Sequence, residues 1–259
     1  MVEIVQLEKK LEACLAQLKQ KFGLCAVKAE FEAEGASFRD LVRLRRWTAR
    51  QDIALHLKIG GVEAVRDIKD ALDLGVDGLI APMVESPFGV TKFTEAVGPI
   101  FSGRDVYKSI NIETRTAVLH IDDILAQAKG KIDNITIGRT DLSHSYFDQE
   151  VKPDCEFISD LIQSISYKVR AAGLTLTIGG SITTKSVDQF RGNRKSFEDR
   201  ISSIETRKII LPIESFLEKE RALEEALKFE ELYLRAKLET EQMLSQADRD
   251  RLAKLKSRI

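Results

Sequence analysis

The segments INIETRT (residues 110–116) and NITIGRTDLS (residues 134–143) hold the residue types needed for metal-assisted chemistry. Strand alternation in the first places Asn111 and Glu113 on one face and Ile110 and Ile112 on the other. The second reads as a short strand running directly into Arg139, Thr140 and Asp141. Two carboxylates at the ends of adjacent strands suit a hard cation such as Mg²⁺ or Mn²⁺. Such an ion takes one or two protein carboxylates and keeps its other positions open for water and substrate. Histidine-rich zinc spacing is absent. A structural ion pair with Arg139 or Lys58 fits the same two acids, and spacing alone leaves both readings open.

Holding these groups together requires a scaffold whose strand ends converge. Short β-rich runs at 24–33, 53–60, 78–84, 107–113, 134–138, 174–180 and 201–211 alternate with longer segments of helical periodicity, several closed by Gly. That order predicts a parallel sheet with right-handed crossovers. Glu30, Glu32, Lys58, Glu85, Asn111, Glu113, Asp141 and Glu205 sit at the C-terminal ends of runs, and a closed barrel brings all such ends to one face. No GxGxxG or GxxxxGK[ST] loop follows the first run, as an open nucleotide-binding sheet would require. The expected fold is therefore α/β, a TIM-type (β/α)8 barrel. Seven strands are legible; the eighth is missing, hidden in the N-terminal segment, or replaced by the N-terminal helix.

A chain of 259 residues fits one such barrel. Its 43% hydrophobic and 31% charged content supplies a large core, and a formal charge of -1 gives no global field for nucleic acid or an anionic membrane. Cys14, Cys25 and Cys155 show no ligand spacing, the first residues form no apolar leader, and no apolar run spans a bilayer. The expectation is a reduced, cytoplasmic protein without a membrane span. Ile4, Leu7, Leu11, Leu15, Leu18 and Phe22, followed by Gly23, predict an amphipathic N-terminal helix. Glu214 to Ile259 lacks Gly and Pro and predicts a long helix, with a second one starting near Ser245. Leu223, Leu227, Leu234 and Leu238 form its apolar stripe, which either closes the barrel wall or packs on another subunit. The chain thus divides into a helix (1–23), a barrel (24–213) and a helical extension (214–259), with a homo-oligomer expected from the helical termini.

The segment INIETRTAVLHIDDILAQAKGKIDNITIGRTDLS resembles the metal-binding core of the HpcH/HpaI aldolase and citrate lyase family, within the pyruvate kinase-like barrel superfamily. VEAVRDIKDALDLGVDGLIAPMVES resembles the helix and strand that precede that core, and the likeness spans roughly residues 24 to 211. It implies a metal-dependent carbon-carbon lyase acting on the enolate of pyruvate or another 2-oxo acid. Glu113 and Asp141 would hold Mg²⁺ or Mn²⁺. Asn111 stands where the family has a Gln, and the backbone around Thr140 would face the substrate carboxylate. Lys58 stands near the place of an Arg that steadies the enolate; it keeps the charge without the planar fork. An imine at Lys58 is the lesser option. Arg139 would help hold the substrate anion.

The first strand departs from the family pattern, because Glu30-Phe-Glu32-Ala33 has the acids but lacks the histidine that serves as base. Glu85 matches the carboxylate that partners that histidine. Replacement bases are Glu32, Glu85 or His144; His56 reads as a satisfied core group and His120 as a surface one. Two other readings compete: the same barrel using phosphoenolpyruvate or an acyl thioester, and a non-catalytic assembly protein.

Overall fold

A computed structural model describes residues 2–31 and 33–258. Eight strands close into a barrel in sequence order. They are β1 (Ala26–Glu30), β2 (Ala54–Lys58), β3 (Gly78–Ala81), β4 (Tyr107–Ile112), β5 (Asn134–Gly138), β6 (Thr175–Gly179), β7 (Ser203–Glu205) and β8 (Ile209–Pro212). Strands β1 to β7 run parallel. β8 is antiparallel to both β7 and β1.

The missing strand thus lies in none of the three expected places. The run 201–211 is a hairpin, and the sheet is not wholly parallel. Thr206 makes the turn: its N–H donates to Ile209 O at 2.8 Å and its Oγ1 accepts from Ile209 N at 3.1 Å. Antiparallel neighbours can be joined by two residues, whereas a parallel pair needs a long crossover.

Outward-facing strand residues such as Leu55, Leu57, Ile110, Ile112, Ile135 and Ile137 are buried under the helical layer, as expected of strands covered on both faces. The lumen is polar instead. Asn134 donates to Ser109 Oγ at 2.8 Å and accepts from Thr177 Oγ1 at 3.1 Å, and Thr177 meets Ser203 Oγ at 2.8 Å. These short side chains replace the bulky branched layers usual in such barrels and leave a cavity of about 450 Å³ at the N-terminal end. His56 projects into it, stacked on Tyr107 with centroids 4.9 Å apart.

Burial pushes the His56 imidazolium down to about 4, against a small opposing pull from Asp77. Between pH 4 and 6.5 the unfolded chain therefore binds the proton that the folded chain refuses. The stability from neutral His56 is complete above pH 6.5 and is lost as the pH falls toward 4, in total of order 3 kcal/mol. His56→Phe should flatten the dependence of the urea midpoint on pH in that window; an unchanged slope would contradict this.

The N-terminal helix (Val2–Phe22) buries Leu11, Leu15 and Leu18 along the C-terminal helix (Ala222–Lys256). The latter is one unbroken helix, so the second start expected at Ser245 does not occur. Ser245 Oγ donates back to Gln242 O at 3.0 Å within the helix. The buried stripe of this helix includes Leu223, Ala226, Phe229, Tyr233, Ala236 and Thr240; of the four leucines expected there Leu223 is buried, while Leu227, Leu234 and Leu238 are exposed. Tyr233 meets Trp47 edge-on with centroids 6.5 Å apart. Among the described residues no helix is long and apolar enough to cross a membrane.

Candidate active site

The C-terminal strand ends surround a cavity of about 430 Å³. Glu113, just past β4, is held from three sides. Oε1 accepts from Met83 N at 2.9 Å, Oε2 accepts from Asn111 Nδ2 at 3.0 Å, and Lys58 Nζ stands 3.7 Å from Oε1. Met83 adopts φ 47°, the sparsely populated left-handed region for a residue with a side chain, and its N–H meets the carboxylate there. Burial raises Glu113 above the usual carboxylate range; Lys58 and the two hydrogen bonds oppose the rise, and Asp141 adds to it.

Gly138 makes the room. A Cβ there would lie 2.5 Å from Glu113 Oε2 and 2.9 Å from its Cβ. Gly138→Ala should therefore destabilise by about 1–3 kcal/mol. Gly61→Ala, where nothing among the described residues lies within 4 Å, should be close to neutral. Urea unfolding of the two variants reads the difference; equal midpoints would show that Glu113 can move aside.

A second ionic cluster lines the same cavity. Lys28 Nζ lies 2.7 Å from Glu205 Oε1 and 3.1 Å from Glu30 Oε1, all three side chains being buried. Burial pulls the Lys28 ammonium down, but the two carboxylates outweigh it and hold it above its ordinary range. Burial likewise raises Glu30, yet Lys28 and Lys58 leave it below the usual carboxylate range. The expectations above omit Lys28. Its signal was the alternation in AVKAE, which sets Lys28 on the face of Glu30.

Lys58, Asn111, Glu113, Thr140 and Asp141 share this cavity. Thr140 Oγ1 meets Ser181 Oγ at 2.8 Å. Three other expected residues stand apart. Arg139 is buried behind the cavity wall, 2.7 Å from Asp154 and donating to Gly179 O at 3.2 Å and Gly180 O at 2.8 Å. It fastens the end of β6 and does not face the mouth. Glu85 is exposed and accepts from Thr114 Oγ1 at 2.7 Å, and His144 is exposed at the far end of the helix Arg139–His144. Glu32 lies outside the described residues. His120 is on the surface, its Nδ1 3.2 Å from Glu85 O.

The lining suits a hard divalent cation. Glu30, Glu113, Asp141, Glu205 and Glu230 face Lys28, Lys58 and Arg207, so the formal charge is two short of neutral, the charge of one such ion. Asn111 Oδ1 is buried and has no hydrogen-bond partner among the described residues. Among the described residues no group of three or more His, Cys, Asp or Glu forms a cage. A cation here would therefore rest on two carboxylates and fill its remaining positions with water and substrate, the habit of Mg²⁺.

No curated protein matches the sequence. Among solved structures, an HpcH/HpaI aldolase/citrate lyase family protein from Burkholderia cenocepacia J2315 superposes with a TM-score of 0.60 at 18% identity, over 85% of this chain and 89% of that one. The HpcH/HpaI aldolase from Desulfitobacterium hafniense DCB-2 gives 0.58 at 15% identity, over 74% and 80%. Citrate synthase SbnG gives 0.57 at 20% identity, over 72% and 78%. Likeness at such identities concerns the fold. The sequence model of HpcH/HpaI aldolase/citrate lyase, in contrast, matches residues 44–208. That stretch takes in β2 to β7 and the strand ends from Lys58 to Glu205, and the chain belongs to the HpcH/HpaI aldolase/citrate lyase family.

Proposed function

We propose that the protein is a divalent-metal-dependent carbon-carbon lyase acting through the enolate of pyruvate or a similar 2-oxo acid. The observation that carries this reading is the pairing of Glu113 and Asp141 beside Lys58 in one cavity two positive charges short of neutral. Glu113 and Asp141 would hold Mg²⁺ or Mn²⁺, which when bound supplies Lewis-acid stabilisation of the enolate charge. Lys58 binds the substrate carboxylate or enolate oxygen as a point charge, and Asn111 and the Thr140 backbone orient the substrate. With Glu85 and His144 outside the cavity, a carboxylate would move the proton: Glu32, which lies outside the described residues, or Glu30 or Glu205 beside Lys28. In condensation that carboxylate takes a methyl proton from the 2-oxo acid, the resulting enolate carbon attacks an aldehyde carbonyl, and the proton passes to the new alkoxide. Cleavage is the reverse.

Exchange of the methyl protons of pyruvate in D₂O tests the reading; it should require Mg²⁺ or Mn²⁺ and stop with EDTA. Exchange undiminished by EDTA would sink the metal role. Lys58 should form no imine, so borohydride added with pyruvate should leave the protein mass unchanged. A stable adduct mapped to Lys58 would replace the metal mechanism with a Schiff-base one.

Residues 24–213 would form the catalytic body. The unpaired Cys14, Cys25 and Cys155 fit a reducing cytoplasm. The exposed Leu234 and Leu238 offer a face for a homo-oligomer; light scattering giving a 29.1 kDa monomer would count against it.

A further inference from the structure

The family match ends at residue 208, yet the cavity continues beyond it. Leu227 and Glu230 of the C-terminal helix line the same space as Lys58, Glu113 and Asp141. The helix is fixed at that point. Phe229 and Tyr233 on either side of Glu230 are buried, and Lys208 Nζ sits 4.4 Å from the Tyr233 ring centroid while pairing with Glu34. Glu230 therefore stands on a rigid wall, where a recognition group is best preorganised.

Glu230 is itself partly buried, and among the described residues it has neither hydrogen bond nor ion pair; burial raises it, and Arg207 and Lys208 act on it only through space. A desolvated carboxylate without a donor is costly until a ligand supplies one. Arg207 also lines the cavity, but it is exposed, so solvent and salt weaken its pull on an incoming anion more than they weaken the repulsion from Glu230.

We infer that Glu230 selects the second substrate: an aldehyde carrying a hydroxyl or ammonium donor at its far end is accepted, and one carrying a carboxylate is refused. This rests on the lyase reading above and adds the chemical class of the electrophile. The helix then belongs to the specificity apparatus of the barrel.

The test compares condensation of pyruvate with glycolaldehyde and with glyoxylate, reading the ratio of kcat/KM within each protein so that general damage cancels. The ratio in favour of glycolaldehyde should fall about ten- to a hundredfold in Glu230→Gln and at least as far in Glu230→Ala, as expected for loss of a charge-assisted contact. If wild type exchanges pyruvate methyl protons but the ratio is the same in all three proteins, this inference falls and the lyase reading stands. If wild type exchanges none, the lyase reading falls and takes this inference with it.

Discussion

Replacing Glu113 by Gln, or Asp141 by Asn, is expected to slow exchange of the pyruvate methyl protons by about 1,000-fold or more. The size follows from the several kcal/mol that a bound cation contributes to a developing enolate, at 1.36 kcal/mol per factor of ten. Both changes keep shape and volume. In Glu113→Gln the Met83 N–H can still find a carbonyl oxygen, and Asn111 can turn its Oδ1, unpartnered among the described residues, toward the new amide. Unfolding midpoints should therefore move little. Exchange at the wild-type rate in both variants would show that neither acid serves the reaction.

The largest effect on stability is expected at Lys28. Lys28→Met leaves Glu30 and Glu205 buried without the ammonium that bridges them, and removing one partner of a buried ionic group costs about 3–5 kcal/mol. Lys28→Met/Glu205→Gln removes one of the stranded charges and should recover part of that loss. Urea unfolding with an unchanged m-value reads both. A single variant as stable as wild type would mean that the cluster is hydrated, with the low energetic stakes of a surface pair.

Much of the site was legible because strand alternation and the convergence of strand ends are properties of the backbone. Asn111, Glu113, Lys58, Thr140 and Asp141 come together for that reason. Lys28 escaped because its partner Glu205 is 177 residues away, and a lone lysine in an apolar strand declares no partner. Arg139 was misplaced because the chain turns from strand to helix at that residue. Successive helical residues diverge by about 100°, so Thr140 and Asp141 can line the cavity while Arg139 points behind it.

Strand β8 was hidden because its turn is made by the Thr206 hydroxyl, with no Gly, Pro or Asn to mark it. On the C-terminal helix the exposed Leu227, Leu234 and Leu238 lie within two residues of the buried row from Leu223 to Thr240. Hydrophobicity alone favours all four leucines, of which only Leu223 is buried. The buried row includes Tyr233, which packs on Trp47 and Lys208, so tertiary partners far along the chain decide which face is covered.

The most direct test is to titrate the wild-type protein with Mn²⁺, reading the paramagnetic resonance of the free ion, with and without oxalate as a stand-in for the enolate of pyruvate. Glu113→Gln and Asp141→Asn are titrated in parallel. The expected result is one Mn²⁺ per wild-type chain, bound more tightly with oxalate and lost or severely weakened in both variants. Absence of binding to wild type, or binding that both variants retain at full strength, would contradict the assignment of Glu113 and Asp141 as the metal ligands.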